Sequence, residues 1–384
     1  MTPLLFNVIL DDLALMIIAT GALVGVAGAL PGMFLVLRGS AMLTDAISHS
    51  ILLGIFAAWW LTGNLGGPLQ LLGAALAGLA AVALIEIVAR SQRVRMDAAI
   101  GLVFPAFFAL GVLLISLFAR DVHLDEDAVL LGEIGFIWLD MVTLAGLELP
   151  RALVTIGALA LVNAAFVALF YKELKLSVFD RALAGALGFL PGMLFYVLLA
   201  LTSVTAVAAF DAVGVILFIA FVIVPPATAL LLTDRLALAI VLACLLGVAA
   251  AISGYLLADI WNLTIGGMMA SMTGAFFALA LLAGPRHGLV ARQLARLRRR
   301  RDNDCLSLLA HLRNHEGTAG AAEENTAAAL EADLRWGGER RHRVILTALD
   351  RGLITRKGET LRLTRRGRAE IDALLPGRMP PRRG

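Results

Sequence analysis

Thr44-Asp45-Ala46-Ile47-Ser48-His49-Ser50-Ile51-Leu52-Leu53-Gly54 sets an aspartate and a histidine four residues apart near the start of an apolar run long enough to cross a bilayer. Helix positions i and i+4 share a face. An ionisable side chain near the centre of a membrane helix costs about 2.5–3.5 kcal/mol on insertion scales, so it needs a partner, water or a task. A carboxylate beside an imidazole suits a divalent transition metal. Spacing alone leaves a second reading open, in which Thr44 or Asp45 caps the helix and His49 makes one interhelical hydrogen bond.

The rest of the chain supplies the membrane. Of its 384 residues 60% are hydrophobic, against roughly 45–50% in soluble domains, and the mean hydropathy is +0.88. Apolar runs of spanning length fall at about 13–37, 43–61, 69–89, 98–118, 152–171, 190–209, 212–232, 236–257 and 264–283. They predict an all-α polytopic membrane protein of about nine transmembrane helices. Pro31, Pro105, Pro191, Pro225 and Pro226 fall in or at the edge of these runs and mark kinks or close packing rather than helix ends. The first run lacks a basic region before it and a cleavage site after it, so it reads as a span rather than a signal peptide. The segment 120–151 is too polar to span, although Val129–Leu139 is apolar enough to lie in the interface or re-enter.

Charge divides the chain. Residues 1–285 carry 10 Lys+Arg against 17 Asp+Glu, a net of −7, whereas 286–384 carry 22 against 12, a net of +10. The expected organisation is a transmembrane domain over 1–285, a basic juxtamembrane helix or linker over 286–302 suited to anionic lipid headgroups, a small α+β domain over 303–376 and a disordered tail over 377–384. One set of loops holds Arg38, Arg90, Arg93, Arg95, Lys172, Lys175, Arg181 and Arg235; the other holds Asp11, Asp12, the acidic stretch from Asp121 to Glu148, and Asp259. The positive-inside rule then puts the N-terminus outside and the C-terminus in the cytoplasm.

Other polar residues in or beside the spans have local readings. Glu86 and Arg90 are an i,i+4 ion pair, Asp97 an N-cap, and Ser203, Thr205, Ser253, Ser271 and Thr273 helix–helix contacts. His123 and the acidic residues Asp125, Glu126 and Asp127 read as a solvated loop. Cys244 and Cys305 lie in environments too different for a disulfide. No G-x-x-x-x-G-K-[ST] and no H-E-x-x-H occurs, so neither an ATP site nor a zinc protease is built in this chain, and no resident cofactor is expected.

Five stretches in order resemble the membrane permeases of ATP-driven manganese, zinc and iron importers. They are Leu37-Arg38 with Thr44–His49, Asp97–Gly101, His123–Glu133, Val213–Leu217 with Val224–Ala229, and Ala283–Gly288. The resemblance covers about residues 12–292, and Thr44 stands where glycine is usual. It implies a bacterial inner-membrane permease subunit, not itself an enzyme, with Asp45 and His49 in the path of a divalent metal cargo. It also implies a loop around Ser177–Gly188 that docks into the ATPase. The residues agree: Phe179, Asp180, Arg181 and Leu183 form a short amphipathic stretch whose Phe179 and Leu183, four apart, suit a partner groove. Implied partners are two copies of a cytoplasmic ATPase subunit, a second permease subunit (alike or paralogous) and an extracytoplasmic metal-binding protein. A gradient-driven metal carrier is an alternative.

In the tail, Leu306, Leu309 and Leu312 share a helical face, Val344, Ala348 and Leu349 another, with Gly352 closing that helix. Leu353–Arg356 and Thr360–Leu363 then form a hairpin, and Thr364 caps a last helix. This order resembles a winged helix of the kind found in metal-responsive repressors. DNA binding by a membrane-tethered regulator is a further alternative, disfavoured because a tether restricts access to an operator. His311 and His315 are also i,i+4; they offer a regulatory metal site as one reading, disfavoured because such a pair on an exposed helix is usually only surface.

Overall fold

The computed structural model describes residues 12–63, 68–118, 134–144, 146–284, 288–318 and 320–374. The stretch His123–Glu133, the exit through Pro285, Arg286 and His287, and the tail 377–384 lie outside the described residues. The chain forms two compact units, 1–288 and 289–384.

In the first unit the apolar runs become helices because a bilayer offers backbone N–H and C=O groups no partner but one another. In order these are α1 (Asp12–Leu37), α2 (Met42–Thr62), α3 (Pro68–Arg90) and α4 (Met96–Phe118). After a 3₁₀ turn (Ile134–Leu139) and a hairpin of β1 (Met141–Leu144) and β2 (Leu147–Pro150) come α5 (Arg151–Leu169), α6 (Tyr171–Phe179), α7 (Arg181–Ala186), α8 (Pro191–Leu232), α9 (Leu236–Trp261) and α10 (Ile265–Ala283). Among the described residues nine segments are long and apolar enough to cross a membrane, and α8 supplies two of them, Pro191–Phe210 and Ala212–Leu232. The helix breaks at Gly214, near the start of the second segment, where a φ of 76° and ψ of 168° fall in a region that essentially only glycine enters. The protein is thus a polytopic all-α membrane protein with a small α+β extension.

Helix α1 packs against α5, α8 and α9 and carries Val24, Met33, Phe34 and Leu35 into the core with Phe218 and Phe221 of α8. One polar clamp crosses this apolar centre. Asn163 of α5, 1% exposed, donates its amide to the Ala27 carbonyl of α1 at 3.0 Å and to the Thr205 hydroxyl of α8 at 3.0 Å. In a medium without water such a bond fixes which helices are neighbours. Ser203 also bonds across helices, to the Ala75 carbonyl at 3.2 Å. Ser253, Ser271 and Thr273 instead bond carbonyls of their own helices.

Several local readings change. Asp97 lies inside the first turn of α4 rather than capping it, and Ala41 occupies the cap position of α2 without a side-chain bond. The β1–β2 hairpin was not legible as strands. Met141 pairs Pro150 and Leu144 pairs Leu147, with Gly146 at φ 85° closing the turn.

The second unit contains α11 (Leu289–Asn314), α12 (Ala321–Glu324), α13 (Ala327–Leu334), α14 (Gly338–Asp350), β3 (Ile354–Lys357), β4 (Thr360–Leu363) and α15 (Arg365–Leu374). From Leu289 onward, the expected linker and the first helix of the tail are one helix. No glycine or proline interrupts 289–314, and Asp302 and Asp304, instead of ending the helix, pair with Arg351 at 2.8 Å and Arg340 at 2.5 Å. The core joins Cys305, Leu308, Leu309 and Leu312 of α11 to Trp336, Val344, Ala348, Leu361 and Ile371. Strands β3 and β4 are antiparallel, Ile354 opposite Leu363, and Thr326 adds a single bridge to Thr360. Thr364 caps α15 by accepting from the Gly367 N–H at 3.0 Å.

Candidate functional site

The chain reverses between α1 and α2 in four residues. Gly39 takes φ +68°, the Ser40 N–H reaches the Leu35 carbonyl at 2.9 Å, and α2 begins at Met42. This tight turn sets Asp45 in the first turn of α2 and His49 one turn further on. Their side chains meet, with His49 Nε2 3.4 Å from Asp45 Oδ1. The pair is neither buried nor free, at 29% exposure for His49 and 30% for Asp45.

Neighbours hold the imidazole. Its ring stacks on Phe104 of α4, centroids 5.3 Å apart, and meets Phe108 edge-on at 5.7 Å. Phe104 and Phe108 are themselves one turn apart, so α4 presents an aromatic wall to the histidine. Asp45 and His49 expose acceptor atoms on one side of α2 while Ser48 and Ser50 on its packed side spend their hydroxyls on the Thr44 and Ala46 carbonyls, at 2.8 and 2.7 Å. Thr44 is fully buried and its hydroxyl oxygen has no partner, which separates it from the pair. A carboxylate oxygen and an imidazole nitrogen at this spacing offer a divalent cation two ligands, and leave its remaining positions open.

The predicted docking residues form a second feature. Asp180 ends α6 and caps α7, accepting from the Leu183 N–H at 2.9 Å, so two short helices meet at a sharp corner. The corner carries exposed apolar side chains: Phe179 65%, Leu183 46%, Leu187 60% and Leu190 65%. Exposed apolar side chains this close together make the corner a candidate interaction surface.

The two features are linked through Arg38, which sequence reading used for orientation and as part of the first family-like stretch. Its guanidinium lies 3.5 Å from the centre of the Phe195 ring. Burial lowers its pKa to about 10; the nearby Arg181 charge acts in the same direction and Glu86 opposes it. Glu86 in turn pairs with Arg90 at 2.9 Å and accepts from the Tyr196 hydroxyl. The turn that starts α2 and the corner at Arg181 therefore share one electrostatic neighbourhood. No motif pointed to Phe195 or Tyr196, and the stretch holding Arg38 did not give its partners, because these contacts depend on helices meeting from far along the chain.

Residues 11–284 match the ABC-3 family, the ABC 3 transport family. The chain belongs to this family. Similar proteins include the zinc transport system membrane protein TroD of Treponema pallidum (strain Nichols), 45% identical over 351 residues, 91% of this chain and 96% of that one. The manganese transport system membrane protein MntD of Bacillus subtilis (strain 168) is 44% identical, covering 73% of this chain and 95% of that one. Among solved structures, PsaBC from Streptococcus pneumoniae in complex with Fab superposes with a TM-score of 0.61 at 26% identity, covering 72% of this chain and 94% of that chain. Family membership and the nine apolar segments make this a multi-pass membrane protein of an ABC transporter. The TroD alignment is longer than the 288 residues of the first unit, so that similarity reaches into the tail.

Proposed function

We propose that this chain is the permease subunit of a binding-protein-dependent ABC importer that moves a divalent transition metal into the cytoplasm of a bacterium. The carrying observation is the Asp45–His49 pair, 3.4 Å apart and about one-third exposed on the surface of the single chain. A carboxylate and an imidazole left facing lipid would be costly. A second permease subunit that covers them, and adds its own pair, removes that cost and completes the ligand set. Manganese and zinc are the favoured cargoes, from the names of the two relatives and from ligands that suit both; iron fits the same donors.

The chain has no ATP site, so the energy comes from a separate ATPase, in two copies, docking on Phe179, Asp180, Arg181 and Leu183. A metal-binding protein delivers cargo on the other face, with the N-terminus outside and the C-terminus inside. The tail has a winged-helix-like order of elements, and because a membrane tether restricts access to an operator, a contact or regulatory role is favoured over DNA binding.

The test is uptake of labelled manganese and zinc by cells lacking their own importers. The cells express this chain with its candidate ATPase and binding protein, as wild type and as Asp45→Asn. ATPase-dependent uptake that the substitution abolishes, with the protein still in the membrane, supports the reading and names the metal. Uptake unchanged by Asp45→Asn removes the pair from the path. Uptake that persists without the ATPase favours a gradient-driven carrier.

A further inference from the structure

The i,i+4 histidines of the tail are not a surface pair. His311 is 7% exposed and belongs to the inner face of α11, and its ring lies 4.6 Å from that of His315. Its Nε2 is 3.1 Å from the Glu324 backbone carbonyl. A carbonyl only accepts, so Nε2 carries the hydrogen, and in the neutral ring Nδ1 presents a lone pair. That lone pair looks at the Asp333 carboxylate, 4.0 Å away, which also only accepts. The gap is too long for a hydrogen bond. His315 is held in a related way, its Nδ1 against the Glu324 side-chain carboxylate. Among the described residues each ring thus has one nitrogen fixed by an oxygen acceptor and no hydrogen bond at the other, the arrangement by which outer-shell groups orient metal-ligating histidines.

We propose that His311, His315 and Asp333 form a metal site in the tail, specific for a divalent transition metal of the zinc class, with Glu324 as the residue that positions His315. One ligand atom from each of the three lies within 4.8 Å of the others. Zinc–ligand bonds of 2.0–2.1 Å at tetrahedral angles set ligand atoms roughly 3.3 Å apart. Closing that difference requires movement of about an ångström or more, which the half-exposed Asp333 can make more readily than the buried His311. Two imidazoles select zinc and its neighbours over magnesium or calcium, which take oxygen ligands. The ligands come from α11 (His311), the residue just past its end (His315) and α13 (Asp333), so the metal ties the end of α11 to α13. This site shares no residue with the Asp45–His49 pair.

Purified full-length chain in detergent, carrying Asp45→Asn and His49→Gln to silence the membrane pair, is dialysed against zinc. The expected result is one zinc per chain, weakened by more than about 100-fold in His315→Gln and in Asp333→Asn, and unchanged in His342→Gln. Both informative changes are at partly exposed side chains and leave the buried His311 in place. Cobalt in place of zinc gives an independent reading, an intense visible absorption from low-coordinate cobalt that vanishes in the same two variants. A silenced chain that binds no zinc, or zinc binding that survives both His315→Gln and Asp333→Asn, overturns the proposal.

Discussion

Gly54 of α2 and Gly73 of α3 cross so closely that a Cβ on Gly54 would lie 2.3 Å from the Gly73 carbonyl oxygen. Backbones approach like this in membranes because small residues let van der Waals contact replace the hydrophobic drive that water supplies elsewhere. The crossing lies just beyond His49 in α2, so it fixes the helix that carries the pair.

If Asp45 and His49 line the metal path as proposed, Gly54→Val should disturb that path without touching either residue. Overpacking of this kind costs about 1–3 kcal/mol. The expected outcome is a lower melting temperature for the detergent-solubilised protein, read by size-exclusion chromatography after heating, together with reduced uptake. Gly101→Ala is the control, since nothing lies within 4 Å of a Cβ placed there. Equal behaviour of the two variants would show that the crossing is not a constraint.

Asn163→Leu removes the one amide that joins α1, α5 and α8, and leaves the Ala27 carbonyl and the Thr205 hydroxyl without it. Interhelical bonds in membranes measure about 0.6 kcal/mol on average and up to about 1.7. A loss in that range is expected from unfolding in mixed detergent. Pairing with Thr205→Val tests the geometry: the two changes together should cost less than their sum.

The spans were legible because each is set by composition over some twenty residues, and membrane helices need nothing beyond their own backbone. The i,i+4 meeting of Asp45 and His49 was equally local. What surrounds them was not. Phe104 and Phe108 flank His49 only because α4 packs beside α2, and Asn163 has a role only because Ala27 and Thr205, far away in sequence, come to it. Gly146 gave no strand signal strong enough to announce the β1–β2 hairpin in four-residue strands. The uninterrupted α11, by contrast, was readable from the lack of glycine and proline across 289–314; the change in charge along it suggested a boundary that the helix ignores.

Cys305 offers a probe of the tail's integrity. It is 2% exposed, and burial raises its thiol pKa, with Arg351 partly offsetting the rise. The thiolate is the reactive form, so both burial and pKa slow alkylation. In a Cys244→Ser background, maleimide labelling at pH 8 should run at least about tenfold slower in the folded protein than in urea. The linked stability runs the same way. The raised pKa adds stability that is complete below the unfolded thiol value, about 8.5, and is lost as pH rises through the folded one. Denaturation midpoints of the tail should fall as pH rises above about 8.5 in this background, and that part of the fall should disappear in Cys305→Ala.

The proposed docking role of the corner between α6 and α7 can be tested apart from the transport chemistry. Phe179 and Leu183 stand exposed on a backbone that Asp180 fixes by its cap to the Leu183 N–H, so truncating them removes apolar contact area without altering the corner itself. If the ATPase seats here, Phe179→Ala with Leu183→Ala should lower its co-purification with the membrane subunit by tenfold or more, on the order of 1.4 kcal/mol or greater, and uptake should fall with it. Asp180→Ala should act differently, costing about 1 kcal/mol of local helix stability and weakening the complex by loosening the corner. Asp180→Asn keeps a capping side chain and should restore most of the binding. Full co-purification in the Phe179, Leu183 double variant would place the ATPase elsewhere on the chain, and leave the exposed strip to another partner.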